Sequence, residues 1–185
     1  MSTQPLTQAI SVARDVLANV TPEQMQNATP CASWDVAGLI NHMVGGQHFF
    51  RAGMDGVEFD GEMPDFAAGD YKASFDEAAA ACVDCFSADG AMEKTVLMPF
   101  GEFPGAGFMG MAMTDTFQHA WDLAKATGQD TNLAPELAAG ILAQSKQSIQ
   151  DAFRGPEGAP FGAEAHCADD ACAADRLAAF LGREV

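Results

Sequence analysis

Basic residues are scarce in this sequence. Lysine and arginine together number 9, against 26 aspartate and glutamate residues, which gives a formal net charge of −17 over 185 residues. Nucleic acids and anionic membrane surfaces both attract basic patches, so we expect the chain to bind neither. The acidity favours solubility but specifies no substrate.

Long hydrophobic runs are missing as well. No apolar stretch approaches the roughly 18 residues that a membrane-spanning helix requires. The first ten residues, MSTQPLTQAI, lack the basic segment and following apolar segment of a secretory signal peptide. The 5 cysteines are an odd number in a chain too long to depend on disulfides. We therefore expect a cytoplasmic protein with a single domain at residues 1–185, on which a tail from about residue 154 packs.

Helical periodicity dominates what is present. Apolar stripes predict helices at residues 6–19, 34–52, 71–87, 105–128 and 135–153, followed by a short helix from about residue 170. Ser33 is the expected cap of the second helix. The strand-like run at 94–100 precedes a Gly-Glu-Phe-Pro turn, which predicts a small β-hairpin before the fourth helix. Together these elements predict an all-α helical bundle with additional short helices.

Two adjacent glycines interrupt the second predicted helix. Gly45 and Gly46 each lower helix propensity by roughly 1 kcal/mol relative to alanine. Their small size would let another helix or a ligand come close at this point.

Asp115 and His119 form the most informative pair. They lie four residues apart in the fourth predicted helix and therefore share one face, where they continue an apolar stripe. A buried carboxylate without a partner is costly, and a divalent metal ion would satisfy it. His42, in the second predicted helix, is the best candidate for a third ligand. Two histidines and a carboxylate leave positions open for water or substrate.

Three alternatives accompany this hypothesis. Asp122 could replace Asp115 as the carboxylate ligand, or could hold an imidazole N–H instead. The same side chains could form only a local hydrogen-bonded pair or a buried polar network.

The third alternative is a zinc site made by cysteines. Two of them, Cys82 and Cys85, fall inside a predicted helix, where cysteine commonly packs as a small apolar residue. The complete set would be Cys82, Cys85, Cys167 and Cys172, with His166 nearby.

Two motifs carry a family resemblance. Residues 29–46 (TPCASWDVAGLINHMVGG) resemble the second-helix signature of the DinB-like superfamily, in the branch of the mycothiol-dependent maleylpyruvate isomerase N-terminal domain. Residues 115–128 (DTFQHAWDLAKATG) resemble the second ligand motif of that branch, and residues 161–162 and 175–183 resemble the tail of its short members.

The resemblance implies a fold and a metal site. The fold is a DinB-like four-helix bundle, in which three side chains from two helices hold a divalent ion, usually zinc and sometimes nickel. The two ligand histidines of the family fall on His42 and His119. The glutamate of the isomerase falls on Asp115, which is one methylene shorter and still supplies a carboxylate.

The resemblance also implies a chemistry. Several family members use a low-molecular-weight thiol, such as mycothiol or bacillithiol, which the metal ionises to a thiolate. The isomerase adds this thiol to a cis double bond and expels it after rotation, whereas a transferase keeps the conjugate. The isomerase also carries a C-terminal α/β domain that 185 residues are too few to include, so the isomerase reaction itself is not implied.

We therefore expect a metal-dependent thiol S-transferase or isomerase-like enzyme that acts on a small-molecule substrate. The alternative is a non-catalytic metal-binding or stress-related protein that keeps the site without a defined turnover. Members of the family are often dimers, so the resemblance implies a homodimer.

Overall fold

The structure is a computed structural model that describes residues 2–59, 61, 63–155, 159 and 161–185. Its described residues form helices and one two-stranded antiparallel sheet. In chain order these elements are α1 (Gln4–Ala18), α2 (Val36–Asp55), α3 (Tyr71–Ser87), β1 (Thr95–Met98), β2 (Gly101–Pro104), α4 (Gly105–Thr127), α5 (Pro135–Ser148) and α6 (Ala173–Phe180). Three short 3-10 turns lie at Pro22–Gln24, Phe66–Ala68 and Asp151–Phe153.

The helices pack around a shared apolar core. α1 lies against α4 and α3, and α2 lies against α3 and α4. α6 packs mainly on α5 and also reaches α4. Burying each large apolar side chain contributes about 1.5–3 kcal/mol. The largest fully buried side chains are Trp121, Phe75, Phe86, Phe108 and Phe117.

The hairpin and two of the helices match their predictions closely. β1 pairs with β2 in a register that joins Thr95 to Pro104 and Met98 to Gly101, so the predicted β-hairpin before the fourth helix is confirmed. α3 spans the predicted residues, and α4 begins directly after the hairpin. The prediction of an all-α fold with a small hairpin is therefore confirmed.

The start of α2 differs from the prediction. Asp35, rather than Ser33, caps the helix, because its carboxylate accepts a hydrogen bond of 2.9 Å from the backbone N–H of Gly38. A capping carboxylate also interacts favourably with the positive end of the helix dipole.

The end of α2 also differs. The helix continues to Asp55 and stops at Gly56, which adopts a left-handed conformation with φ of 70°. Gly53 lies inside the helix, and a Cβ atom at this position would sit only 2.7 Å from Cζ of Phe108. This glycine therefore permits close packing against α4, instead of ending the helix.

The two C-terminal helices are shorter than predicted. α5 ends at Ser148, because Ile149 leaves the helical conformation at φ −86° and ψ 114°. α6 begins at Ala173, where Sγ of Cys172 accepts a hydrogen bond from the N–H of Asp175.

Among the helices that the described residues form, none has both the length and the apolar character to cross a bilayer.

Candidate metal centre

The site forms where α2 and α4 pack against each other. His42 of α2 lies beside His119 of α4, whereas Gly53, further along α2, lies beside Phe108, near the start of α4. The two helices are therefore antiparallel. Between these two contacts, Nε2 of Gln47 donates a buried hydrogen bond of 2.9 Å to Oγ1 of Thr116. This packing brings the site residues of the two helices together.

The structure brings the three predicted ligand side chains together. Oδ1 of Asp115 lies 3.6 Å from Nε2 of His42 and 3.5 Å from Nε2 of His119. The ligand atoms of all three residues lie within 4.8 Å of one another. Two ligands held about 2.1 Å from a tetrahedral zinc ion are about 3.4 Å apart, so these separations fit a zinc ion with little rearrangement. We call these three residues the first cluster.

One atom of the first cluster favours a cation directly. Nε2 of His42 is buried and has no hydrogen-bond partner among the described residues. Leaving a buried polar atom unsatisfied costs about 1–3 kcal/mol. A metal ion bound between His42 and Asp115 would remove that cost.

Neighbouring side chains fix the orientation of both imidazoles. The ring of Trp34 stacks on His42, with centroids 4.3 Å apart and planes inclined by 23°. Nδ1 of His119 lies 2.9 Å from Oδ2 of Asp122. When Nδ1 carries the proton and donates it to Asp122, the lone pair of Nε2 faces Asp115 and His42. The structure therefore places Asp122 beside Nδ1, on the opposite edge of the ring from Asp115.

Asp122 is the centre of a buried hydrogen-bond network. Its side chain is completely buried. Its carboxylate accepts hydrogen bonds from Nε2 of Gln118 at 3.1 Å and from Sγ of Cys31 at 3.2 Å. Arg183 adds two more, from Nε to Oδ1 and from Nη2 to Oδ2, each at 3.2 Å. A buried carboxylate is thereby fully partnered, as burial requires.

The charges of the network shift the pKa values of its members. Burial alone would raise the pKa of Asp122, but the hydrogen bond and charge of His119, together with Arg183, lower it to about 2. Burial acts in the same direction on Asp115, and attraction to His119 and His42 again outweighs it, so its pKa falls well below the usual range. The pKa of His119 is raised, because the two carboxylates overcome the effect of burial.

A second set of ligand atoms overlaps the first. Cys31, His119 and Asp122 also bring three ligand atoms within 4.8 Å of one another, and we call them the second cluster. The two clusters share His119 but use opposite edges of its ring. From the sequence, no site role was predicted for Cys31 or for Arg183. Neither helical periodicity nor ligand spacing identifies contacts between segments so far apart.

The four remaining cysteines do not form the alternative zinc site. Among the described residues, no group of three close ligand atoms includes any of them. Sγ of Cys85 instead donates a hydrogen bond of 3.0 Å to the carbonyl oxygen of Cys82 within α3. All the cysteines are free thiols.

The fold and the site together define a helical domain with a candidate metal-binding cluster of two histidines and one carboxylate between antiparallel helices. The chain belongs to the mycothiol maleylpyruvate isomerase N-terminal domain family, whose family model matches residues 6–124. This range includes all three residues of the first cluster and ends before Arg183.

Comparison with curated proteins finds relatives of similar length. Two uncharacterized proteins, from two strains of Mycobacterium tuberculosis, are each 43% identical to this chain over 171 residues. The alignment covers 92% of this chain and 91% of each relative. No solved structure matches the chain.

Proposed function

We propose that this protein is a divalent-metal-binding, DinB-like four-helix bundle of one domain, acting as a metal-dependent enzyme that uses a low-molecular-weight thiol. The expected reaction is thiol S-transfer or an isomerase-like addition and release of the thiol. His42, Asp115 and His119 would hold the metal ion, with zinc the expected metal and nickel the second choice.

The observation that supports this proposal is the convergence of the first cluster on one point. Nε2 of His42 is buried without a hydrogen-bond partner among the described residues, and it lies 3.6 Å from Oδ1 of Asp115, which also faces Nε2 of His119. A site serving only as a hydrogen-bond network would be expected to pair that nitrogen. The family match supports the same assignment.

The surrounding residues have roles that suit such a site. Asp122 would accept a hydrogen bond from Nδ1 of His119, which would leave Nε2 free to act as a ligand. Trp34 holds the His42 ring in place by stacking. The side chains of His42 and Asp115 keep 32% and 28% of their surface exposed, which leaves one side of the cluster open to a small molecule. A bound zinc ion would supply the charge that ionises a thiol at neutral pH.

Metal content is the first test. The protein would be purified without a polyhistidine tag and its metals measured by plasma mass spectrometry, for the wild type and for His119→Ala. His48→Ala is the matched control, because His48 also lies on α2 but stacks on Phe66, away from the cluster. We expect about one zinc or nickel ion per chain in the wild type and in the control, and loss of that ion in His119→Ala.

Two outcomes would contradict the assignment. If the wild type contains no metal even after incubation with zinc and nickel, the enzyme proposal fails. If His119→Ala retains the metal, the ion is bound elsewhere in the protein.

Thiol chemistry is tested on the metal-loaded protein. Mycothiol and bacillithiol would each be supplied with small electrophiles, and thiol consumption would be followed. An enzyme should consume both reactants in a reaction that a chelator and His42→Ala abolish. A non-catalytic metal-binding protein would contain the metal without accelerating the reaction with either thiol.

A further inference from the structure

We infer that Arg183 determines which of the two overlapping clusters a divalent ion occupies. Its guanidinium keeps the ion at the first cluster and away from the second cluster. This inference deepens the proposed function and rests on it, because it assumes that the first cluster binds metal.

The second cluster would otherwise be a strong competitor. Sγ of Cys31 lies 3.2 Å from Oδ2 of Asp122 and 4.0 Å from Nδ1 of His119. Cysteine, histidine and aspartate are all common zinc ligands, and a thiolate is the softest of the three. By donor chemistry alone, an ion at this position would gain a sulfur ligand that the first cluster lacks. The imidazole of His119 belongs to both clusters, and it offers Nε2 to the first cluster and Nδ1 to the second.

Arg183 already supplies a cation to the second cluster. Its guanidinium donates to both carboxylate oxygens of Asp122, and Nη2 also lies 3.6 Å from Sγ of Cys31. Only 17% of its side chain is exposed. A guanidinium does not lose its charge in proteins, so a metal ion could enter here only by displacing it. In contrast, no arginine or lysine forms an ion pair with Asp115 among the described residues, and this leaves the first cluster available.

The backbone holds Arg183 in this position. The N–H of Arg183 donates to the carbonyl oxygen of Ala178, in a turn that closes α6. Gly182 precedes it with φ of 93°, and a Cβ atom there would lie 2.6 Å from Cα of Gly162. A closely packed turn therefore positions the guanidinium of Arg183. This turn lies beyond residues 6–124, the range that the family model matches.

Cobalt(II) spectroscopy distinguishes the two positions. A cobalt–thiolate bond gives an intense near-ultraviolet charge-transfer band, whereas nitrogen and oxygen ligands do not. In the wild type and in Arg183→Lys, which keeps the positive charge, we expect cobalt uptake without this band. In Arg183→Met we expect the band to rise from absent to about one cobalt–sulfur bond per chain, because the second cluster is then free for a metal ion. Adding Cys31→Ser to Arg183→Met should remove the band again.

The opposite result is equally clear. If Arg183→Met is folded by circular dichroism and binds cobalt without a sulfur band, Arg183 does not control the position of the ion. If the band in Arg183→Met survives Cys31→Ser, another cysteine provides the sulfur and the inference also fails.

A second variant protects the test against loss of folding in Arg183→Met. Cys31→Ser in the otherwise wild-type protein should show the same absence of a sulfur band as the wild type, because the first cluster contains no sulfur. A sulfur band in the wild type that Cys31→Ser abolishes would overturn the inference without any change at Arg183.

The two levels of the proposal fail in different ways. If the wild type takes up no cobalt, the proposed function and this inference are both refuted. If the wild type and folded Arg183→Met both bind cobalt without a sulfur band, and His42→Ala abolishes binding, the proposed function stands and only the role of Arg183 is refuted.

Discussion

Nδ1 of His119 lies 2.9 Å from Oδ2 of Asp122, on the edge of the ring opposite Asp115. This contact separates two carboxylates that the sequence left interchangeable. Asp115 faces Nε2 of His119, whereas Asp122 lies beside Nδ1. This arrangement supports our proposal that Asp115 is the metal ligand and that Asp122 holds the imidazole in place.

Replacing the two carboxylates separately should reveal this difference. Asp122→Asn weakens the orientation of His119, and loss of such a partner typically costs roughly 10- to 100-fold in metal affinity. Asp115→Asn removes a ligand charge and should weaken zinc binding further. Zinc affinity would be measured by competition with a chromogenic chelator. Asp76→Asn is the control, because Asp76 pairs with Arg14 at the surface, and its affinity for zinc should equal that of the wild type. A larger loss in Asp122→Asn than in Asp115→Asn would reverse the assignment.

Adding a methyl group at Gly46 should disturb the site. A Cβ atom at Gly46 would lie 3.2 Å from Oδ2 of Asp115, so the carboxylate would have to shift. We expect Gly46→Ala to lower zinc affinity, measured by the same competition assay.

The neighbouring glycine provides a matched control. At Gly45 the nearest atom would be Cγ of Met63 at 3.9 Å, which is an ordinary contact. Gly45→Ala should leave zinc affinity unchanged, and it should raise stability by up to about 1 kcal/mol through helix propensity. Equal affinities for the two variants would show that Asp115 tolerates the displacement.

Several features of the candidate site could be predicted from the sequence alone. The pair Asp115 and His119 follows from helical spacing, His42 was the candidate third ligand from another helix, and the family resemblance implied the same residue. The predicted close approach of another helix is found at Gly46, where an added Cβ atom would lie 3.2 Å from Oδ2 of Asp115 in α4. Such features depend on local periodicity and residue size, which the sequence carries directly. Whether the three residues bind metal stays a prediction.

Other features depend on contacts that local patterns do not encode. Arg183 and Cys31 meet at Asp122, although they are 152 residues apart in sequence. The predicted second helix stopped before Gly53, but this glycine lies inside α2, where Phe108 packs close to its backbone. In both cases the deciding partner comes from another segment, so only the folded arrangement reveals it.

Two histidines should titrate on opposite sides of the ordinary value of 6.5 in the metal-free protein. Burial and the charge of Arg51 lower the pKa of His48. Attraction to Asp115 raises the pKa of His119 despite burial. The contribution of His119 to the free energy of unfolding is therefore fully present below about pH 6.5 and is lost as pH rises through its pKa in the folded protein. The contribution of His48 to the free energy of unfolding is instead present above about pH 6.5 and is lost as pH falls below that value.

Proton NMR of the imidazole signals would measure both values. His48→Gln and His119→Gln would assign the signals. A midpoint for His119 below 6.5 in metal-free protein would contradict the expected attraction by the carboxylates. Added zinc should abolish titration of His119 over the same pH range, because the metal competes with the proton for Nε2.

Gly182 should be less tolerant of a side chain than other glycines with a positive φ. Gly128 and Gly182 both end helices in this conformation, at φ of 69° and 93°. A Cβ atom added at Gly128 would meet no atom of the described residues within 4 Å, so Gly128→Ala should cost only the backbone strain of about 1–2 kcal/mol. At Gly182 the added atom would lie 2.6 Å from Cα of Gly162, and because this neighbour is backbone, no side chain can rotate away. Equilibrium urea unfolding of Gly182→Ala should therefore show a clearly larger loss of stability than Gly128→Ala, with a lower midpoint in both. Equal losses would mean that the turn carrying Arg183 can move away from Gly162, and the packing against Gly162 would then not fix the position of Arg183.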